Sequence, residues 1–266
     1  MAAAMAVNLA EYEFVPEGWR PGDPRGTGWD HPSVARAMRA NWPQWAAVVN
    51  STRPLGIFPM APHVRHEGGH NLSMTFAYVM ARAAHGKTRL SVLDWGGALG
   101  HYALMAKALL PEIALDITIK ERPEAAATGS TLVPFATFVT DDADCFSRSY
   151  DVVLASSSLQ YAADWRNIAG RLVKSAKEWM FIARLPIVRR SATFVVVQRP
   201  YLSVGYQTEY LSWVFNRDEF LAQIAASGAV LEREFISGEN VQYAGGPEIS
   251  EGTGFLFRAS TSSAKR

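Results

Sequence analysis

Apolar and polar positions alternate with two different rhythms along this chain. Up to residue 87 the apolar residues keep helical spacing, separated by stretches rich in Pro and Gly. Val34, Ala37 and Met38 follow Asp30-His31-Pro32, a helix start that tolerates proline in its first turn. The pattern predicts a break near Trp42-Pro43, because proline removes a helical hydrogen bond, and a resumption to about Asn50. Leu72, Phe76, Val79, Met80 and Ala83 share one face of a second helix, expected to start at Asn71 and to stop at Gly86. Residues 1–30 carry Pro16, Gly18, Pro21, Gly22, Pro24, Gly26 and Gly28 and read as an irregular arm.

From residue 88 strands alternate with helices. Strands are expected at 89–93 (ending on Asp94), 114–120, 135–139, 150–155 and 179–185. Helices are expected at 102–109, 123–128 and 165–176. Asn216 with Glu219 forms a cap-box-like start to a further helix, ended by Gly228. Two last strands, at 230–235 and 254–258, have no helix between them and suggest an antiparallel edge hairpin. This alternation predicts an α/β fold: a doubly wound, Rossmann-like sheet of about seven strands, mostly parallel. Residues 1–70 are expected to form an arm and a helical lid, and residues 71–266 the sheet domain.

Composition narrows the function. Of 266 residues 48% are hydrophobic and 19% charged, enough for a sizeable core. Lys plus Arg number 26 against 25 Asp plus Glu, which argues against broad electrostatic binding to nucleic acid or an anionic membrane. The single cysteine, Cys145, excludes an internal disulfide and a multi-cysteine zinc site and fits a reducing cytoplasm. The start, MAAAMAVNLAEYEF, has no basic region and is interrupted by Glu11 and Glu13, so no signal peptide is expected. No run of about 18 apolar residues occurs, so no membrane span is expected. The expectation is a soluble cytoplasmic protein, monomer or homodimer, acting on a small molecule.

The chemistry concentrates at 91–102, SVLDWGGALGHY: a buried strand, an acidic residue at its end, then glycines leading into a helix. Glycines there let backbone approach a ligand, and the helix N-terminus lies at the strand's carboxyl end. A dinucleotide fingerprint needs Gly-x-Gly-x-x-Gly, and no frame here satisfies it; the Gly-Lys-Ser/Thr of a P-loop is absent. What stands is Asp94-x-Gly96-x-Ala98-x-Gly100, with Gly97 between.

This resembles the first motif of class I S-adenosylmethionine-dependent methyltransferases, Asp/Glu-x-Gly-x-Gly-x-Gly, with Ala98 replacing the middle glycine. LDWGGALGHY, YDVVLASSSLQYAADW and WVFNRDEF together resemble a family of bacterial methyltransferases of undefined substrate, whose genes tend to lie among polysaccharide or specialised-metabolite loci. The resemblance covers roughly residues 65–258. It implies S-adenosylmethionine as cofactor, leaving as S-adenosylhomocysteine. Asp94, Gly96, Gly97, Ala98 and Gly100 would cradle its amino-acid part, Glu121 its ribose, and Asp141 or Asp142 its adenine. Ser157 and Ser158 would face the methionine end, with Gln160 and Tyr161 framing the transfer to an oxygen or nitrogen of a small metabolite or sugar.

Other residues were weighed on their own chemistry. His63, His66 and His70 cluster in HVRHEGGH, where two glycines work against the helix a zinc site would need, so no metal is expected. One of these histidines could serve as a base, and His70 is favoured because the expected helix begins beside it. The segment 198–215 carries Tyr201, Tyr206 and Trp213, expected to line a substrate pocket, and Arg184 points toward the same edge. Two alternatives stay open: an inactive methyltransferase-like binding or scaffold protein, and a nicotinamide-dependent oxidoreductase, which the glycine spacing disfavours.

Overall fold

The computed structural model describes residues 11–62 and 64–260. His63, the first ten residues of the arm and the last six of the chain lie outside the described residues. The elements run β1 (Tyr12–Phe14), a 3-10 turn (Pro24–Asp30), α1 (Pro32–Val49), α2 (Glu67–Ala84), β2 (Arg89–Trp95) and α3 (His101–Leu109). Next come β3 (Ala114–Lys120), α4 (Pro123–Leu132), β4 (Thr137–Val139), α5 (Asp142–Cys145) and β5 (Tyr150–Ser156). The chain closes with α6 (Trp165–Ser175), β6 (Ala176–Val188), β7 (Phe194–Gln198), β8 (Tyr210–Asn216), α7 (Arg217–Ala226), β9 (Ala229–Val241) and β10 (Ser250–Ala259).

The apolar runs become the centre of a doubly wound sheet. Leu90 and Val92 of β2 enter a core with α1–α3, while Leu93 and Trp95 face α6, so both sides of the strand are covered. The order is β4-β3-β2-β5-β6, with β10 pairing antiparallel to β6 and β9 antiparallel to β10. The expected final hairpin is therefore present, but its second strand lies inside the sheet. The order in which strands are added reverses between the parallel neighbours β2 and β5, and such a switch point is where ligands bind in these sheets.

Three strands extend the expected seven. β6 runs on past the core, and its end pairs with β8 through Ile187↔Phe215 and Val188↔Asn216. β7 pairs antiparallel with β8, and β1 with β7 through Tyr12↔Gln198 and Phe14↔Val196. The arm is thus only partly irregular: it supplies an edge strand and a 3-10 turn. The 198–215 segment likewise contains β8 and the end of β7 rather than a free loop. No helix among the described residues is long and apolar enough to cross a membrane.

Besides a four-residue extension of α4 and the unexpected short α5, the two N-terminal helices depart from expectation. α1 continues through Pro43, because Trp42 and Trp45 on either side of it are buried against the sheet domain. α2 begins at Glu67, four residues earlier than expected, and so spans the 70/71 boundary. Its two glycines are demanded by close packing: a Cβ on Gly68 would lie 2.7 Å from the Ser237 carbonyl oxygen, and one on Gly69 2.7 Å from that of Ile57. Tertiary approach overrides helix propensity here.

Gly69→Ala is accordingly expected to destabilise the fold. Alanine gains about 1 kcal/mol of helix propensity, but overpacking against the Ile57 backbone costs about 1–3 kcal/mol. A lowered urea midpoint with unchanged slope would agree; a raised midpoint would mean that the Ile57 segment yields.

Candidate functional site

At the carboxyl end of β2 the chain turns through Gly96 (φ 73°), Ala98 (φ 52°) and Gly100 (φ 88°) into α3. A Cβ on Gly96 would strike Ser158, and one on Gly97 would strike the Asp94 carboxylate and approach Ile119 to 2.8 Å. Ala98 accepts the left-handed conformation that glycine favours, and its N–H donates to Glu121 Oε2 at 2.8 Å. The departure at Ala98 therefore leaves the loop's shape intact.

Asp94 lies beneath this loop, 2% exposed, beside a cavity of about 10 Å³ that Phe76, Tyr102 and Ile117 also line. Neither of its carboxylate oxygens meets a hydrogen-bond partner among the described residues. Burial, reinforced by the nearby Glu121 charge, pushes its pKa up to about 8. Glu121 sits at the end of β3 and also accepts the Arg122 N–H at 2.7 Å. Burial raises its pKa too, against the pull of these two N–H donors.

The two aspartates after β4 separate. Asp142 is taken up: its Oδ1 accepts the Trp95 indole N–H at 3.0 Å and lies 3.3 Å from Lys120, with Arg171 at 4.0 Å from Oδ2. Only Asp141 remains exposed at the edge, one oxygen capping α5 through the Ala143 N–H at 2.7 Å.

The loop after β5 closes the other side. Ser158 Oγ donates to the Trp95 carbonyl at 2.8 Å, and Ser157 (φ 52°) donates its N–H to the Ala183 carbonyl at 2.9 Å. Gln160 is 3% exposed; its Nε2 donates to Ser157 Oγ at 3.2 Å and to the Arg184 carbonyl at 3.4 Å. A carbonyl only accepts, so the amide nitrogen must face it, and Gln160 Oε1 is left buried without a donor. Tyr161 donates to Gln198 Oε1 at 3.2 Å.

Arg184 bulges from β6, where Thr253↔Leu185 and Phe255↔Ile182 lose register, and it too has positive φ (56°). Its side chain is engaged at that edge rather than free. It donates from Nε and Nη2 to Glu239 at 3.1 and 2.8 Å and lies 4.5 Å above the Phe58 ring. Burial pushes Glu239 up, but the guanidinium outweighs it and holds the carboxyl below the usual range. Tyr102 Oη and Ser156 Oγ share a hydrogen bond of 2.8 Å beside this pair.

The N-terminal segments roof these groups. His101, the first residue of α3, is wedged between Trp42 and Trp45 of α1, with ring centroids 5.0 and 4.7 Å away. Burial pushes its pKa down to about 3, so it stays neutral. Trp29 stacks on Tyr210 at 4.5 Å and tilts against Tyr161 at 4.9 Å. Tyr206 reaches Trp29 edge-on at 6.2 Å and donates to Met60 Sδ. The other expected pocket residues are elsewhere. Tyr201 is half exposed in a 3-10 turn, and Trp213 stacks on Trp19 while donating to the Ala162 carbonyl at 3.1 Å. His66 caps α2, its Nδ1 accepting the Gly68 N–H at 3.0 Å, so that lone pair is spent; His70 is exposed on the first turn. Among the described residues no group of three or more His, Cys, Asp or Glu is placed to hold a metal. Trp29, Tyr102, Gln198 and Glu239 join the site without having been singled out in the sequence. Tyr102 closes the 91–102 motif and Gln198 opens the 198–215 segment, while Trp29 is a large apolar side chain in a Pro/Gly-rich arm.

No protein-family model and no curated protein matches this sequence. Solved structures do. A Galdieria sulphuraria protein described as a candidate sarcosine dimethylglycine methyltransferase superposes with a TM-score of 0.54 at 13% identity, over 85% of this chain and 99% of that one. The magnesium protoporphyrin IX methyltransferase of Synechocystis, solved with S-adenosylhomocysteine bound, gives 0.50 at 12% identity over 83% and 95%. The 4+2 cyclase SpnF gives 0.51 at 12% identity over 85% and 95%. This chain has the Rossmann-like fold of class I S-adenosylmethionine-dependent methyltransferases, a fold that also carries cyclase chemistry.

The orphaned Asp94 predicts a pH signature of the free protein. Its folded-state pKa, about 8, lies above the ordinary 3.8, so between these values the folded state holds a proton that the unfolded state has lost. Stability from this group is fully present below pH 4 and is lost as pH rises toward 8, by at most about 1.4 kcal/mol per pH unit. Melting temperature should therefore fall between pH 5 and 8 relative to Asp94→Asn, whose profile should be flatter. Parallel profiles for the two proteins would place the Asp94 charge in a solvated site.

Proposed function

We propose that the protein binds S-adenosylmethionine at the ends of β2 and β3 and directs its methyl group to an oxygen or nitrogen of a small molecule. One observation carries this reading: a buried carboxylate, Asp94, with both oxygens unpartnered, beneath a glycine loop at the sheet's switch point. Such a group is completed by a cation that brings N–H donors, and the amino-acid end of the cofactor carries an ammonium.

The remaining residues fit the same molecule. Gly96, Gly97 and Gly100 keep side-chain atoms out of the loop, and Ala98 adds a single methyl. Glu121 accepts two backbone N–H bonds and keeps lone pairs for the ribose hydroxyls. Asp141, with one oxygen free of the α5 cap, would accept the adenine amino group, while Asp142 is engaged elsewhere. When bound, the cofactor would supply an electrophilic methyl on its sulfonium, the C–S electron pair staying on the sulfur of S-adenosylhomocysteine.

The chain's own contribution is orientation and exclusion of water. Ser157, Ser158, Gln160 and Tyr161 hold the acceptor side of the loop, and the 3-10 turn with α1 acts as a lid. An acceptor of high pKa must also give up a proton. With the Nδ1 lone pair of His66 committed to a helix cap, His70 is the histidine of this cluster proposed for that task.

Calorimetry with S-adenosylhomocysteine tests the cofactor reading directly. Pairing with an ammonium requires ionised Asp94, so binding at pH 7 should release close to one proton, read from titrations in buffers of different ionisation enthalpy. Asp94→Asn should abolish that release. Glu121→Ala should weaken binding roughly tenfold or more, from loss of bonds to a charged group. Absence of binding by the wild-type protein would overturn the proposal.

A further inference from the structure

The acceptor side of the site has a composition of its own. Three ring faces meet there: Trp29 from the arm, Tyr161 from the loop after β5, and Tyr210 from β8, with Tyr161 and Tyr210 centroids 5.1 Å apart. Beside them stands one hydrogen-bond acceptor with no donor, Gln160 Oε1, in a side chain 97% buried by its 3% exposure. A buried amide oxygen left in that state costs about 1–3 kcal/mol, so a ligand N–H or O–H is its natural partner.

The Trp29 ring is held by packing alone, its Nε1 buried without a hydrogen-bond partner among the described residues. Tyr161 is anchored to Gln198, and Tyr210 lies within a paired strand opposite Gln198. Trp29 belongs to a seven-residue 3-10 turn preceded by Gly18 and Gly22, both at positive φ and both clear of other atoms. The polar ties at its end of the turn are the Thr208 hydroxyl (3.0 Å) and the His31 N–H (3.3 Å) on the Gly28 carbonyl and Asp30 with Arg122 at 3.4 Å, an exposed pair of small energetic value, while buried Gly28 packs on the Glu209 backbone. A flat ring from the 3-10 turn is thus stacked on the wall of the acceptor loop.

We infer that the acceptor is a flat aromatic ring bearing a hydroxyl or N–H, seated where the Trp29 indole now stacks and donating its hydrogen bond to Gln160 Oε1. The inference rests on the methyl-transfer reading for what happens next. The ring's oxygen or nitrogen takes the methyl as the C–S bond breaks, and its proton passes to solvent or a base. A phenol suits such a site. Its pKa of about 10 asks less of a base than an alcohol would.

The test uses 1-naphthol, its methyl ether 1-methoxynaphthalene, and the saturated decahydro-1-naphthol, titrated by calorimetry into the protein with and without S-adenosylhomocysteine. Naphthol should bind about tenfold tighter than the ether, the worth of one buried hydrogen bond, and several-fold tighter than the saturated alcohol. Gln160→Leu should bring naphthol and ether together. Trp29→Ala, by clearing the seat, should tighten naphthol about tenfold. Naphthol should also speed tryptic cleavage at Arg25–Gly26 in the wild-type turn, while Arg20 is shielded by the proline after it. Equal binding of the three probes by wild-type protein, or unchanged cleavage at Arg25, would overturn the inference whether or not the variants fold. Binding of S-adenosylhomocysteine is read separately. Its loss would sink the methyl-transfer reading while leaving the probe comparison valid.

Discussion

A carboxylate cut off from water governs the carboxyl edge of this sheet. Asp94 stays dry because Gly97 lies directly over it and the apolar side chains of Phe76 and Ile117 close the space behind. That position is costly, and a second acid, Glu121, makes it more so. The same Glu121 holds the loop together: its bond to the Ala98 N–H, worth about 1.5–3 kcal/mol as a bond to a charged group, offsets the roughly 1–2 kcal/mol of a left-handed alanine. Backbone shape and buried charge at this edge therefore depend on each other.

Strain elsewhere obeys the same geography. Among the described residues the non-glycine positions of positive φ are Ala98, Ser157 and Arg184, which follow β2, follow β5 and interrupt β6. These three strands are neighbours. The second and third positions are tied through the Ser157 N–H on the Ala183 carbonyl and the Gln160 amide on the Arg184 carbonyl. Backbone held in sparsely populated regions persists where surroundings over-determine it, and such places cluster at functional sites. The distribution singles out one face of one crevice.

Much of the frame was legible before any coordinates. Val152 to Ala155 in β5 form a short apolar run of the kind a covered parallel strand needs, Ile117 and Ile119 alternate with polar residues in β3, and Asp94 with its glycines marks the turn itself. What escaped reading depends on partners distant in sequence. FVVVQ of β7 becomes a strand through Tyr12–Phe14, in an arm whose prolines and glycines hid any pattern. Gly68 and Gly69 read as helix breakers because the Ile57 and Ser237 backbones that require them come from other elements. Arg184 was expected only to point toward the pocket edge, and its partner Glu239 lies 55 residues later. Asp141 and Asp142 were indistinguishable as neighbours, and only the positions of Trp95, Lys120 and Arg171 separate them.

The short β1 strand has a bearing on handling of the protein. It covers one side of β7, whose Phe194-Val195-Val196-Val197 run is buried, and Glu13 adds an ion pair with Arg199 at 2.7 Å. A proteolytic nick or truncation that removed the first fifteen residues would bare one edge of a strand with four consecutive β-prone apolar residues, leaving it paired with β8 alone. Uncapped edges of that kind recruit strands from other molecules. Loss of the arm would then appear first as self-association and turbidity, before any change in ligand affinity could be measured.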